Sequence, residues 1–146
     1  MSAAETPGTE RSAYRNWTRC RARYGDLDPN GHVNNGAINA FFEEGRVAFR
    51  REGLAARCEN VLKGFVVAHF SVDYLAPLGY PCEVEVGTAV TRIGRSSFRL
   101  AQAVFDGGRC VARAEVVSVH TDPGTGKSVP LSPELSAALE DYVSGP

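Results

Sequence analysis

Two hydrophobic periods divide this chain. From Asn16 to Tyr24 the residues alternate, with Trp17, Arg19, Arg21 and Arg23 on one face and Thr18, Cys20, Ala22 and Tyr24 on the other. A period of two over this length predicts a strand with one solvated face. From Asn35 to about Glu52 the period lengthens. Ile38, Phe41, Phe42, Gly45, Ala48 and Phe49 recur at three and four residues and form one apolar stripe on a helix. Asn34 or Asn35 suits the N-cap, and Glu43 and Glu44 precede Arg46, Arg50 and Arg51 in the order the helix dipole favours. Gly45 in mid-helix costs about 1 kcal/mol against alanine, which points to close approach of the helix to a sheet.

Gly53 to Gly64 is a connection with room for a short helix, and after it the strand pattern returns. Strands are predicted over 65–75, 82–93, 96–106 and 109–121, separated by Ala76-Pro77-Leu78-Gly79, Gly94-Arg95 and the two-residue turn Gly107-Gly108. Asp122 to Gly126 is a loop, and Ser132-Pro133-Glu134 opens a terminal helix through Tyr142, with proline at the first helical position. Short turns require antiparallel neighbours, and a wide apolar stripe needs a sheet to cover it. The expected fold is α+β: an antiparallel sheet wrapped around one long central helix. Residues 1–13 read as a disordered lead-in without the apolar core of a signal peptide, and 14–146 as a single domain.

Composition narrows the function classes. Hydrophobic residues at 43% and charged residues at 23% are ordinary globular values. A net charge of -1 gives no electrostatic case for nucleic acid, and no apolar run approaches the length of a membrane span. Cys20, Cys58, Cys82 and Cys110 form no CxxC pair, and three of them fall in strand patterns. Reduced thiols in a cytoplasmic protein, with no metal site, are the expectation.

Polar chemistry concentrates in Tyr24-Gly25-Asp26-Leu27-Asp28-Pro29-Asn30-Gly31-His32-Val33-Asn34-Asn35, between the first strand and the long helix. Asp26, Asp28, Asn30 and Gly31 satisfy the early positions of a calcium loop, but its closing bidentate carboxylate falls on Ala37 and the preceding segment alternates like a strand. A purely structural reading has these residues capping the helix and satisfying turn amides. A catalytic reading sets Asp28 beside the free N–H groups at the helix start, where a carbonyl oxygen gaining negative charge would be stabilised. Asp28 would then attack that carbonyl or activate a water, with Asn30 and His32 holding the water or the carboxylate.

Asp28-Pro29-Asn30-Gly31-His32-Val33-Asn34-Asn35, the Phe41-Phe42-Glu43-Glu44 helix and the later Asp73-Tyr74-Leu75-Ala76-Pro77 resemble the hotdog-fold acyl-CoA thioesterases of the 4-hydroxybenzoyl-CoA thioesterase type. The resemblance implies an enzyme that releases free acid and coenzyme A, with no cofactor beyond the coenzyme A of its substrate. Asp28 takes the place of the catalytic nucleophile or general base, and the amide of Asn35 that of the group polarising the carbonyl. Asp28, Asn30 and His32 together also resemble the catalytic loop of plant acyl-ACP thioesterases; the 4-hydroxybenzoyl-CoA enzymes lack the histidine. Other hotdog thioesterases carry their acid on the helix, which makes Glu43 the reserve candidate. Arg95-Ser96-Ser97 matches the turn that in relatives grips the phosphates of coenzyme A, although only Arg92 and Arg95 are basic there.

The resemblance further implies a homodimer or homotetramer with sheets joined edge to edge and the site at the interface. Two rivals remain open at the level of sequence. One is an acyl-ACP thioesterase using Arg46, Arg50 and Arg51 towards an acidic carrier. The other is a non-catalytic acyl-CoA-binding module. His69 reads as a core or interface histidine, and His120 has no partner nearby in sequence.

Overall fold

A computed structural model describes residues 7–59, 61 and 63–144. Five antiparallel strands, β1 (Asn16–Arg21), β2 (Phe65–Tyr74), β3 (Glu83–Ile93), β4 (Ser97–Asp106) and β5 (Arg109–His120), form one sheet in the order β1-β3-β4-β5-β2. The long helix α1 (Asn35–Ala48) packs on this sheet and is prolonged by a π-helical turn, Phe49–Gly53, and a 3₁₀ turn, Leu54–Ala56. This is the hotdog arrangement the two periods predict. The first strand ends three residues earlier than the alternation suggests, because Tyr24–Asp26 winds into a 3₁₀ turn whose Asp26 carboxylate accepts from the Arg23 N–H.

The helix stripe meets the sheet as its spacing requires. Ile38, Phe41 and Phe42 pack with Val84, Val86, Val104 and Ala112, while Phe49 joins Leu54, Val90, Phe98 and Leu100. Gly45 is the point of closest approach. A Cβ there would lie 2.6 Å from Val86 Cγ1 and 3.0 Å from Gln102 Nε2, closer than real carbon contacts allow. A second helix, α2 (Pro133–Glu140), is capped by the Ser132 hydroxyl, which accepts from Leu135 N–H, and it buries Leu135, Ala138 and Leu139 against the second cluster.

One residue in the stripe departs from the apolar pattern. Arg46 is buried, at 8% exposure. Its guanidinium donates to Gln102 Oε1 at 3.1 Å, and Gln102 in turn donates to the Phe42 carbonyl and the Thr88 hydroxyl. Arg46 therefore offers nothing to an acidic carrier protein; Arg50 is half-buried and only Arg51 is exposed.

Of the expected lead-in, residues 1–6 lie outside the described residues. Residues 7–13 lie against the sheet: Arg113 donates to the Pro7 carbonyl, Tyr14 to that of Gly8, and the Arg11 guanidinium sits 4.1 Å from the centre of the Trp17 ring.

The sheet has two dissimilar edges. On β1, Arg19 and Arg21 lie beside Glu83 of β3 at 3.8 and 3.9 Å. The outer side of β2 is mostly exposed, including Val66, Val67 and Tyr74.

Candidate active site

The segment between β1 and α1 folds as a small hairpin. Leu27 and Val33 form an antiparallel bridge, and Asp28 N–H donates to the His32 carbonyl at 2.8 Å. Gly31 turns the chain with φ 76°, a conformation glycine adopts without steric cost. Val33 N–H donates to the Leu78 carbonyl, tying the hairpin to the β2–β3 connection. Asn34 fastens the other side: its N–H and Nδ2 both donate to the Asp26 carbonyl, while its Oδ1 accepts from Ala37 N–H at 2.7 Å as the helix cap.

This fixed loop holds the Asp28 side chain. Oδ1 of Asp28 accepts from the N–H groups of Asn30 (2.9 Å) and His32 (3.1 Å). Both hydrogen bonds fall on one oxygen, and the residue lines a cavity of about 270 Å³ together with His32, Val33, Asn35, Ile38 and the segment Tyr74–Leu78. With Asn34 as cap, the N–H groups of Asn35 and Gly36 stand outside the intrahelical ladder at the positive end of α1. A carboxylate oxygen and a helix N-terminus thus share one small cavity. That pairing suits attack on a polarised carbonyl.

Asp28, His32 and Asn35 come together as the sequence suggests. Asn30 takes part through its backbone N–H, and its exposed side chain is absent from the cavity wall. Asp26 serves structure. Both of its carboxylate oxygens accept from Arg23, from the main chain at 2.8 Å and the guanidinium at 3.2 Å, and these bonds hold its carboxyl below the usual range, the backbone N–H contributing most. The two aspartates therefore do not converge on a cation, and among the described residues no group of three His, Cys, Asp or Glu side chains gathers as a metal site.

Sequence reasoning missed Tyr74. It lines the cavity and donates from its hydroxyl to Asn39 Oδ1 at 2.6 Å, linking the end of β2 to the second turn of α1. Its signal was its place in the Asp73-Tyr74-Leu75-Ala76-Pro77 motif, which carried no role. His69 is exposed on the β2 edge. His120 stacks on Phe65 with ring centres 4.9 Å apart, and its Nδ1 lies 3.3 Å from the Pro130 carbonyl.

Arg95, Ser96 and Ser97 stand apart from the Asp28 cavity. They lie where β3 turns into β4, beside His120, whose N–H donates to the Ser96 carbonyl. The Asp28 hairpin follows β1 at the other end, where Arg21 pairs with Glu83. The eleven residues of β3 separate the two ends, about 33 Å at strand spacing.

Comparison with known proteins adds the family. The model of the thioesterase-like superfamily matches residues 22–139. Among solved structures, the PA5185 protein of Pseudomonas aeruginosa strain PAO1 superposes with a TM-score of 0.82 at 28% identity, covering 93% of this chain and 96% of its own. A thioesterase from Thermus thermophilus, complexed with coenzyme A and zinc, superposes with a TM-score of 0.78 at 30% identity, over 89% of this chain and 95% of its own. No curated protein sequence matches the chain. Among the described residues no helix is long and apolar enough to cross a membrane.

Proposed function

Because the chain belongs to the thioesterase-like superfamily, we propose that it is a cytoplasmic homo-oligomeric enzyme hydrolysing the thioester of an acyl-CoA to free acid and coenzyme A, after the 4-hydroxybenzoyl-CoA type. The observation that carries this reading is the anchored Asp28 carboxylate facing a cavity that also receives the start of α1. Fold alone would not license the activity.

In this reading the acyl carbonyl oxygen lies against the N–H of Asn35, at the positive end of the helix, which stabilises the negative charge that grows there during attack. Asp28 uses its second oxygen in one of two ways. As general base it takes a proton from water, whose oxygen attacks the carbonyl carbon; as nucleophile it attacks that carbon itself and forms an anhydride that water then opens. Either way the carbon–sulfur bond breaks, the thiolate leaves as coenzyme A and gains a proton, and one water is consumed. His32 on the cavity wall lies at hand for the proton that the thiolate requires. The main-chain bonds to Asp28 keep its carboxylate in place throughout, so little ordering of the loop is needed before reaction.

The separation of Arg95 from Asp28 within one chain supports assembly. If two β2 edges pair antiparallel, the Phe65 end of one lies beside the Tyr74 end of the other. The Arg95 turn of one subunit, next to its His120–Phe65 corner, then approaches the Asp28 cavity of its partner. Arg95, Ser96 and Ser97 would grip the phosphates from across the interface, as an arginine fork does well.

The test is thiol release from medium-chain, long-chain and aromatic acyl-CoA esters, with Asp28→Ala in parallel. The wild type should turn over at least one ester, and the variant should lose about a thousandfold or more while keeping its fold. Acyl-CoA binding without thiol release by the wild type would leave a non-catalytic module. Release from acyl carrier protein alone would change the carrier.

A further inference from the structure

The most costly group in the molecule lies outside the catalytic cavity. Arg46 is buried with one neutral acceptor, Gln102 Oε1, and a cation–π contact with Phe70 at 5.4 Å. Arg50, one turn on, has a buried Nε with no hydrogen-bond partner among the described residues. Burial pushes both guanidinium groups below the usual arginine range. Neither makes an ion pair among the described residues, where eight pairs occupy other sites. Desolvated cations cost several kcal/mol each unless an acid compensates them. On the same helix Glu43 is exposed and likewise makes no ion pair among the described residues. One exposed acid and two buried cations along one helix are self-complementary under a two-fold axis.

The sheet edge says where such an axis would fall. β2 spans Phe65–Tyr74, so its centre lies between His69 and Phe70. Two β2 edges paired antiparallel about that centre place a two-fold axis at Phe70. Phe70 is the residue that meets α1 there: its ring lies 5.8 Å from that of Phe42 and under the Arg46 guanidinium. The axis therefore crosses α1 near residue 44, midway between them. A two-fold reverses the second helix about that level, so position 43 of one copy stands opposite positions 45–46 of the other.

We propose that Arg46 and Arg50 form one side of an ion-pair site whose other side is Glu43 of the partner subunit, with the reciprocal pair on the far side of the axis. The inference rests on the edge-to-edge assembly put forward above and adds the chemistry that selects a second copy of this chain as the occupant. It also gives Glu43 a role apart from the reserve acid of the reaction.

Sedimentation velocity over a concentration series tests it, with circular dichroism to check each fold. Glu43→Arg should raise the dissociation constant about a hundredfold or more, as expected when one member of a buried charge pair is reversed. Glu44→Arg, on the other flank of the helix, should not move it. Glu43→Arg combined with Arg50→Glu should recover most of the loss, because the charges are exchanged rather than removed. An unchanged constant in Glu43→Arg overturns the proposal and leaves the two guanidinium groups to a ligand carboxylate. A monomeric wild type overturns it together with the edge pairing. Thiol release is scored separately: a dimer that follows this pattern yet releases no thiol supports the ion pair while the thioesterase reading fails.

Discussion

The first turns of α1 separate two clefts that differ in size and in chemistry. Towards β1 lies a cleft of about 480 Å³ lined by Arg19, Cys20, Arg21, Arg23, Asp26 and Glu44, among others; towards β2 lies the cavity of about 270 Å³ that holds Asp28. The larger cleft is rich in charge, yet its groups are committed or unreactive. Arg23 is held by Asp26, Arg19 and Arg21 lie near Glu83, and burial, with a contribution from Glu44, pushes the Cys20 thiol up to about 11. A thiol so placed is protonated at neutral pH and is no nucleophile. The smaller cavity has fewer charges, but its carboxylate is fixed by two main-chain donors beside a helix start. Reactivity follows from what is held in position, and volume is a poor guide to it.

Substitutions on the two sides should respond differently. The largest effect beyond Asp28 and Glu43 is expected at Asp26, on the β1 side, as a loss of stability. Its carboxyl is held below the usual range, so the stabilisation is complete above the ordinary carboxylate pKa of about 4 and disappears as pH falls through the lower folded value. Asp26→Asn should therefore cost about 1–2 kcal/mol in thermal unfolding at pH 7, from the charge-assisted bonds to Arg23, and the gap to wild type should close near pH 2. A gap that persists in acid would assign the loss to packing. On the β2 side, Tyr74→Phe removes the bond to Asn39 with little change of shape, and kcat/KM for acyl-CoA should fall about three- to tenfold at nearly constant melting temperature. Glu44→Gln, in the larger cleft, should leave kcat/KM within about twofold, as surface substitutions away from a site do. A large loss there would erase the distinction between the clefts.

Much of this was legible in the chain, for identifiable reasons. The change from period two to period three-to-four located α1 and the strands, and a mid-helix glycine announced the contact that Val86 and Gln102 make at Gly45. The Asp28 loop was legible as a motif, but the manner of its anchoring was not. The expected donors were the side chains of Asn30 and His32; the observed ones are their N–H groups, because the tight turn at Gly31 aims the main chain at Oδ1. Burial of Arg46 was hidden for another reason. A charged residue beside Glu43 reads as a solvated helix face, and its acceptor, Gln102, lies 56 residues further on. Nor does the order of residues show that Arg95 and Asp28 sit at opposite ends of β3 until the strands are paired.

The seat of Gly45 has a mechanical consequence. With Gly45 pressed on Val86, and Gln102 bonded to the Phe42 carbonyl, α1 is clamped near its middle and has a lever arm towards its first residue. From Gly45 to Asn35 that arm is about 15 Å. A tilt of only about 4° at the clamp would carry the Asn35 N–H about 1 Å from its working place, a displacement able to cost about a hundredfold in rate. A side chain forced in at Gly45, too distant to touch any substrate, would thus be felt first as a mis-aimed helix end, well before the domain lost its fold.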